Sequence, residues 1–246
     1  MAGPIDAYLV AGGKYHDIDF ARIELLKLLA EHERIRVTVG SDYSDTRAIG
    51  DSDILITYTC DVVPRGDEIA ALARFLGRGR RWLALHGTNS VLSFREDNRV
   101  ECPPLDPDFL AMIGSQFQAH PSPIGRYKVI NKAKENPLVA GIANFVVEDE
   151  QYLQDCLPGN RPLLVTEFGG KTELFVRDTW PEEEHAVMYL REHGGGEVLY
   201  LTLGHARGRY DLRPLADFYP YVERGAWQLP VFYDLLRRSI RWAAER

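Results

Sequence analysis

The stretch Trp82-Leu-Ala-Leu-His-Gly-Thr-Asn-Ser90 decides the fold class, because a short apolar run ends abruptly in polar residues. Four apolar residues bounded by polar ones predict a buried strand, and His86 with a glycine follows that strand at once. Parallel sheets bind ligands beyond the carboxyl ends of their strands. The stretch therefore predicts a parallel α/β sheet that delivers His86 to the edge where such sheets hold their ligands.

The first half of the chain alternates strand and helix patterns around this central strand. Apolar or β-branched runs predict strands at Ile5–Val10, Arg36–Val39 and Asp53–Thr59. Helical spacing of apolar residues predicts helices at Phe20–His32 and Asp67–Leu76. This order predicts a parallel sheet with right-handed crossovers.

The second half changes character, because short apolar runs separated by turns predict antiparallel additions to the sheet. The predicted strands are Tyr127–Asn131, Leu163–Phe168, Leu174–Arg177, Val187–Glu192 and Val198–Leu203, the last of which returns to the main sheet. Apolar residues at helical spacing predict a closing helix over Pro230–Ala244. The segment nearest to a linker is Pro103–Pro107, and we expect one domain over residues 1–246.

Composition narrows the class of protein. Three cysteines are an odd number without metal-ligand spacing, which argues against a disulfide framework or zinc ribbon and favours a reducing compartment. The amino terminus lacks a basic segment before a long apolar one, and no run approaches 18 apolar residues, so we expect a soluble cytoplasmic protein that neither binds nor spans a membrane. A net charge of -7 disfavours nucleic acid as a partner.

Three histidines share one sequence context, directly beyond an apolar run. His16 follows the first strand in Gly12-Gly-Lys-Tyr-His-Asp17, His86 ends the central strand, and His205 follows Val198–Leu203. A single histidine at a strand end is more often a packed residue than a ligand. Three equivalent contexts, however, predict that these side chains gather over one edge of the sheet.

Two further residues are candidates for the same edge, and two other site types are disfavoured. His120 and Glu150 have residue types that serve as acids, bases or metal ligands, although spacing alone does not bring them to the histidines. The pair Gly12-Gly13 lacks the third glycine of a dinucleotide fingerprint and the Gly-Lys-Ser/Thr of a P-loop, so we expect a sharp turn close to a ligand instead. No Gly-x-Ser-x-Gly elbow marks a serine hydrolase.

A set of short motifs, in order along nearly the whole chain, resembles the ThuA-like family, named for trehalose utilisation. Those motifs are Gly12-Gly-Lys-Tyr-His-Asp17, Leu85-His86, Gly114-Ser-Gln-Phe-Gln-Ala-His-Pro121, Asn136-Pro-Leu-Val-Ala-Gly141, Glu148-Asp-Glu-Gln-Tyr152, Leu203-Gly-His205 and Arg241-Trp-Ala-Ala244. The resemblance implies a class I glutamine amidotransferase-like fold, a flavodoxin-like parallel sheet with helices on both faces.

The resemblance also carries two departures that bear on function. Amidotransferases have a cysteine nucleophile after the central strand, and His86 fills that position here, so we expect no glutamine amidotransferase activity. The commoner family pattern places an aspartate where this chain has Asn89, and Gln118-Ala-His120 replaces a Gly-His pair. With Asn89 in that position, the chain lacks a carboxylate that could act as a base or orient a metal ion.

The resemblance implies an enzyme of carbohydrate catabolism that acts on a sugar or a 3-keto disaccharide or glycoside beside a sugar oxidoreductase. A ketone at C3 acidifies the C2 proton, so a histidine or glutamate base allows isomerisation, elimination or hydrolysis. The predicted catalytic residues are His86, His205, Glu150 and His120. The predicted substrate-binding residues are Gly13, Tyr15, His16, Asn89 and Tyr152. A divalent zinc, manganese or iron ion is an expected cofactor, with His86, His120 and His205 as ligands.

Two other functions stay open: a non-catalytic sugar-binding or regulatory module, and a metal-dependent amidase or deacetylase. The aromatic-rich segment from Asp217 to Trp227 has three interpretations, namely a lid over the site, a contact between subunits of a homo-oligomer, and packing against the terminal helix.

Overall fold

The computed structural model describes residues 3–245. Its strands are β1 (Ile5–Gly13), β2 (Ile35–Gly40), β3 (Ile54–Cys60), β4 (Arg81–Leu85), β5 (Ser93–Phe94), β6 (Val100–Glu101), β7 (Ser115–Ala119), β8 (Gly125–Asn131), β9 (Phe145–Asp149), β10 (Leu153–Cys156), β11 (Arg161–Lys171), β12 (Thr179–His193) and β13 (Gly196–Leu201). Its helices are α1 (Ile18–Ala30), α2 (Thr46–Asp51), α3 (Asp67–Gly77), α4 (Pro107–Ile113) and α5 (Pro230–Ala244), with 3₁₀ turns at His86–Asn89 and Gly225–Gln228. None of these helices is long and apolar enough to cross a membrane.

Nine strands form the central sheet in the order β2-β1-β3-β4-β13-β12-β11-β8-β9. The first five are parallel, and the remaining four are added antiparallel. The parallel part has the 2-1-3-4-5 order of flavodoxin-like folds. The predicted fold class, a parallel sheet with antiparallel additions in the second half, is confirmed.

Helices cover both faces of the parallel part, as predicted. Leu9 and Ala11 of β1 pack into a core with α1 and α5, whereas Tyr8 and Val10 pack into a second core with α2, α3 and α4. All seven residues of β3 are buried. Burial on both faces explains why the central strands read as continuous apolar runs without alternation.

Two segments differ from their predicted structure. Leu174–Arg177, predicted as a strand, lies in the turn between β11 and β12, where hydrogen bonds from Thr172 N to Asp178 O and from Phe175 N to Thr172 O close a loop. Its apolar residues form a single bridge, between Phe175 and Val100. Pro103–Pro107 leads directly into α4, because Asp106 caps that helix and proline starts it.

Candidate functional site

His86 lies on a sharp turn from β4 into the 3₁₀ turn, with a left-handed backbone (φ 46°). Its Nδ1 is 2.7 Å from the carbonyl oxygen of Thr202. A carbonyl can only accept, so Nδ1 carries the proton and a neutral His86 has its lone pair on Nε2. The turn therefore presents an electron-pair donor beyond the carboxyl end of the central strand.

His16, three residues beyond β1, mirrors this arrangement. Its Nδ1 is 3.2 Å from the carbonyl oxygen of Lys14, and its Nε2 is 2.9 Å from Nε2 of His86. When both imidazoles are neutral, these hydrogen bonds leave two lone pairs facing each other. Such a contact is repulsive unless a proton or a metal ion lies between the two nitrogens.

Glu150 and His205 complete a buried cluster with these two histidines. Glu150 Oε2 lies 3.4 Å from His86 Nε2 and 3.6 Å from His16 Nε2, and its Oε1 lies 3.1 Å from His205 Nδ1. That Nδ1 is buried and has no hydrogen-bond partner among the residues described. One ligand atom from each of the four residues lies within 4.8 Å of every other.

The cluster fits a divalent metal ion. Zinc bound tetrahedrally at about 2.0–2.1 Å has ligand atoms about 3.3 Å apart. His16 Nε2, His86 Nε2 and Glu150 Oε2 lie 2.9–3.6 Å from one another, close to that spacing, and all four ligand atoms lie within 4.8 Å, so small side-chain shifts would complete the site. Three imidazoles and a carboxylate also suit zinc, manganese or iron. The unpartnered nitrogen of His205 and the opposed lone pairs of His16 and His86 are both satisfied by one cation at the centre.

The structure brings together most of the predicted catalytic and metal-binding residues. His86 and His205, two of the three predicted ligands, belong to the cluster, and His16 and Glu150 join them. The third, His120, lies outside this group of four. Its Nε2 is 3.6 Å from Glu150 Oε1, on the wall of an adjoining pocket.

Burial and the mutual charges set the protonation of the cluster. Burial lowers the pKa of His16 to about 3 and lowers that of His120. Burial alone would raise the pKa of Glu150, but His205 and His120 hold it well below its ordinary value. Burial alone would lower the pKa of His205, but Glu150 and Glu223 raise it to about 9. Without a metal ion His205 therefore carries a second proton on Nδ1 at neutral pH, and a metal ion would bind that nitrogen in place of the proton. Glu150 is therefore a carboxylate, and His16 and His120 are neutral imidazoles, at neutral pH.

A pocket of about 100 Å³ adjoins the cluster. Its walls are mostly aromatic and aliphatic, with polar groups converging at one end, the usual composition of a small-molecule site. The polar lining includes the predicted residues Tyr15, His16, His120, Glu150 and Tyr152, together with Arg207. The hydroxyl of Tyr152 lies 3.3 Å from His86 Nε2.

Two predicted substrate-binding residues do not line this pocket. Gly13 (φ 113°) allows a close approach of chain segments, because a Cβ there would lie 1.9 Å from the carbonyl oxygen of Cys60. Asn89 is buried and donates through Nδ2 to Ser115 Oγ at 2.8 Å and Gln154 Oε1 at 3.0 Å. Asn89 therefore ties the turn after β4 to β7 and β10.

Three site residues were missed by the sequence analysis. Asp149 accepts hydrogen bonds from the backbone N–H groups of Glu150 and His205. The Arg207 side chain contacts the Glu150 carboxylate, and the Glu223 side chain contacts the His205 ring. Arg207 Nη2 is 3.2 Å from Glu150 Oε1. The positions of Asp149 next to Glu150 and Arg207 two residues after His205 were available signals. Glu223 lies in the aromatic-rich segment from Asp217 to Trp227, for which a lid over the site was one predicted role, but no motif singled out its side chain.

A larger cleft of about 720 Å³ lies at the opposite edge of the sheet, near the amino ends of β4 and β13. Its charged groups pair with one another, Arg81 with Glu197 at 3.7 Å and Arg238 with Asp234 at 2.9 Å. The histidine cluster, with its converging donor atoms, is therefore the stronger candidate site.

Solved structures similar to this chain share its fold. A protein described as ThuA-like from Bacteroides uniformis ATCC 8492 matches with a TM-score of 0.70 and 15% identity, covering 100% of this chain and 94% of that one. Another, from Parabacteroides merdae ATCC 43184, has a TM-score of 0.64 and 16% identity over 98% of this chain and 90% of that one. A β-galactosidase from Bacillus circulans sp. alkalophilus has a TM-score of 0.56 and 10% identity over 98% of this chain, which spans 31% of that enzyme.

Sequence comparison gives the family. No curated protein matches this chain. The ThuA family, described as trehalose utilisation, matches residues 8–218. That match covers most of the chain and includes all four residues of the cluster, so this protein belongs to the ThuA family.

Proposed function

We propose that this protein is a divalent-metal-dependent enzyme of carbohydrate catabolism that acts on a 3-keto disaccharide or glycoside. The observation that carries the proposal is the convergence of His16, His86, Glu150 and His205 beside a pocket. The carbohydrate substrate is supported by the family's link to trehalose utilisation. A sugar oxidoreductase would supply the ketone.

A metal ion held by this cluster would supply a Lewis acid for the ketone oxygen. His120 is the best candidate for the base. Its Nδ1 is 2.7 Å from the carbonyl oxygen of Pro121, so a neutral His120 has its lone pair on Nε2, on the pocket wall and 3.6 Å from Glu150 Oε1. Burial lowers the pKa of His120 and keeps it neutral at pH 7, which is the form that accepts a proton.

The proposed reaction starts when His120 Nε2 takes the proton from the carbon beside the ketone. The electron pair left by that C–H bond moves into the ketone to form an enediolate. Return of the proton at the other carbon isomerises the sugar, whereas loss of the C1 oxygen, protonated by His120, cleaves the glycosidic bond. Tyr15, Tyr152 and Arg207 line the pocket as donors for sugar oxygens.

Glutamine amidotransferase chemistry is not part of the proposal. Cys60 lines the pocket, but burial and the nearby Glu150 raise the pKa of its thiol well above the ordinary value. The thiolate is the nucleophilic form of cysteine, so this side chain is a poor nucleophile.

Turnover of a 3-keto disaccharide tests the proposal. The wild-type protein should release product, chelation should abolish turnover, and His120→Ala should lower kcat by about 10²–10⁴-fold as expected for loss of a general base. His193→Ala, at the end of β12 and outside the cluster, is the matched control and should retain activity. Ligand-induced stabilisation without product would contradict the proposal and favour a sugar-binding module.

A further inference from the structure

Glu223 reaches the cluster from a segment remote in sequence. Its backbone pairs antiparallel with that of Arg207, closing a loop of residues 208–222, and two leucines of this loop line the pocket. The Glu223 side chain is only 9% exposed. Its Oε2 accepts from His205 Nε2 and from Arg207 Nη1, each at 2.8 Å, and its Oε1 accepts from the Tyr219 hydroxyl at 2.8 Å.

These hydrogen bonds assign the two nitrogens of His205. A carboxylate only accepts, so Nε2 must be the nitrogen that carries a proton. A neutral His205 therefore has its lone pair on Nδ1, which is the atom 3.1 Å from Glu150 Oε1. Histidines that bind metals commonly donate their other ring N–H to a carboxylate, which fixes both the tautomer and the direction of the ring.

We infer that Glu223 is a positioning residue that fixes His205 as a metal ligand, an inference that rests on the proposed metal-dependent function. Glu223 is not one of the four residues whose ligand atoms converge. It acts through His205, and Tyr219 of the loop holds its second oxygen. Through this contact the loop over the pocket contributes to holding the metal.

The test is the Zn²⁺ dissociation constant of the full-length protein, measured by competition with a chromophoric chelator. Glu223→Leu fills a similar space but provides no hydrogen-bond acceptor for His205 Nε2. The Zn²⁺ dissociation constant of this variant should rise by about 10–100-fold. Glu223→Gln keeps an acceptor oxygen for His205 Nε2 and should recover most of that loss. Asp211→Ala is the matched control, because Asp211 accepts from Gly208 N in the same loop but contacts no histidine of the cluster.

Imidazole NMR of the Zn²⁺-loaded protein follows the proton of the His205–Glu223 hydrogen bond, and Asp211→Ala, in which that proton should still exchange slowly, controls for general loosening of the loop. The His205 Nε2 proton should exchange slowly in the wild type and in Glu223→Gln, and rapidly in Glu223→Leu. Unchanged Zn²⁺ affinity in Glu223→Leu would overturn this inference alone, as would an equal loss in Asp211→Ala. A wild-type protein that binds no Zn²⁺, Mn²⁺ or Fe²⁺ would overturn the proposed function as well.

Discussion

The Asp149 side chain holds together three backbone segments that surround the cluster. It is fully buried and accepts backbone N–H hydrogen bonds from Glu150 at 2.7 Å, Gly204 at 3.1 Å, His205 at 3.2 Å and Ala226 at 2.7 Å. These bonds tie the end of β9 to the segment after β13 and to the last 3₁₀ turn. Asp149 thereby sets the separation between Glu150 and His205.

Replacing Asp149 by asparagine should destabilise the fold. One carboxylate oxygen would become an amide donor facing backbone N–H groups, so we expect the free energy of unfolding to fall by about 2–4 kcal/mol. Urea denaturation measures this change. The control is Asp155→Asn, whose 58% exposed carboxylate pairs with Arg177 on the surface and should change stability by less than about 0.5 kcal/mol. Equal effects of the two substitutions would contradict the assigned role.

The sequence predicted the residues whose roles follow from strand ends. His16, His86 and His205 each follow an apolar run, and the parallel sheet brings them to one edge. Asp149 and Glu223 could not be predicted this way, because their roles come from contacts across the fold. Their hydrogen-bond partners lie in segments that no local pattern connects.

At the carboxyl ends of β1 and β3, the backbone of Cys60 lies too close to Gly13 for any side chain at position 13. Gly13 pairs with Cys60 in this register, and the next residue, Lys14, donates its N–H to the Cys60 carbonyl at 3.0 Å. This contact fixes the path of the chain from β1 into His16. The end of β1 therefore controls the position of one cluster histidine.

Gly13→Ala should disrupt this junction. The added Cβ would lie 1.9 Å from the Cys60 carbonyl oxygen, on a backbone with φ 113°, so we expect a loss of at least about 2 kcal/mol in stability and weaker metal binding. Gly50→Ala is the control, because Gly50 lies in α2 with open space around its Cα. That change should be neutral or stabilise by up to about 1 kcal/mol. Thermal unfolding and Zn²⁺ titration of both variants measure the difference, and a stable Gly13→Ala variant with normal binding would be the contrary result.

Elements with long periodic patterns were predicted well, and short ones were not. The closing helix Pro230–Ala244 has its predicted bounds, because its apolar residues repeat over several turns. The helix α2 has six residues, which is too few for a helical period to stand out. Leu174–Arg177 has the apolar residues of a strand, but Phe175 is buried as part of the pocket wall.

The cluster joins distant parts of the chain. His16 comes from the end of β1, His86 from the end of β4, Glu150 from the end of β9 and His205 from beyond β13. These elements span both the parallel part of the sheet and its antiparallel additions. A metal ion held by all four would cross-link the native fold and would have no such site in the unfolded chain.

Metal removal should therefore lower the stability of the whole protein. A ligand present at 100 times its dissociation constant adds about 2.7 kcal/mol to the free energy of unfolding, so chelation should lower Tm by several degrees. Differential scanning calorimetry with and without chelator measures the shift. His193→Ala should show the same fall in Tm as the wild type. Glu150→Gln should show little change in Tm on chelation, because it lacks one of the four candidate ligands. An unchanged Tm of the wild-type protein after chelation would contradict a metal ion in the cluster.

Metal content per chain, measured by mass spectrometry on untagged protein, tests the central claim most directly. His86→Ala and His205→Ala should be compared with the wild type and with His193→Ala. We expect about one divalent ion per chain in the wild type and in the His193 variant, and a large loss in the two cluster variants. Metal-free wild-type protein, prepared under conditions that retain weakly held ions, would contradict the account, as would cluster variants that keep their metal.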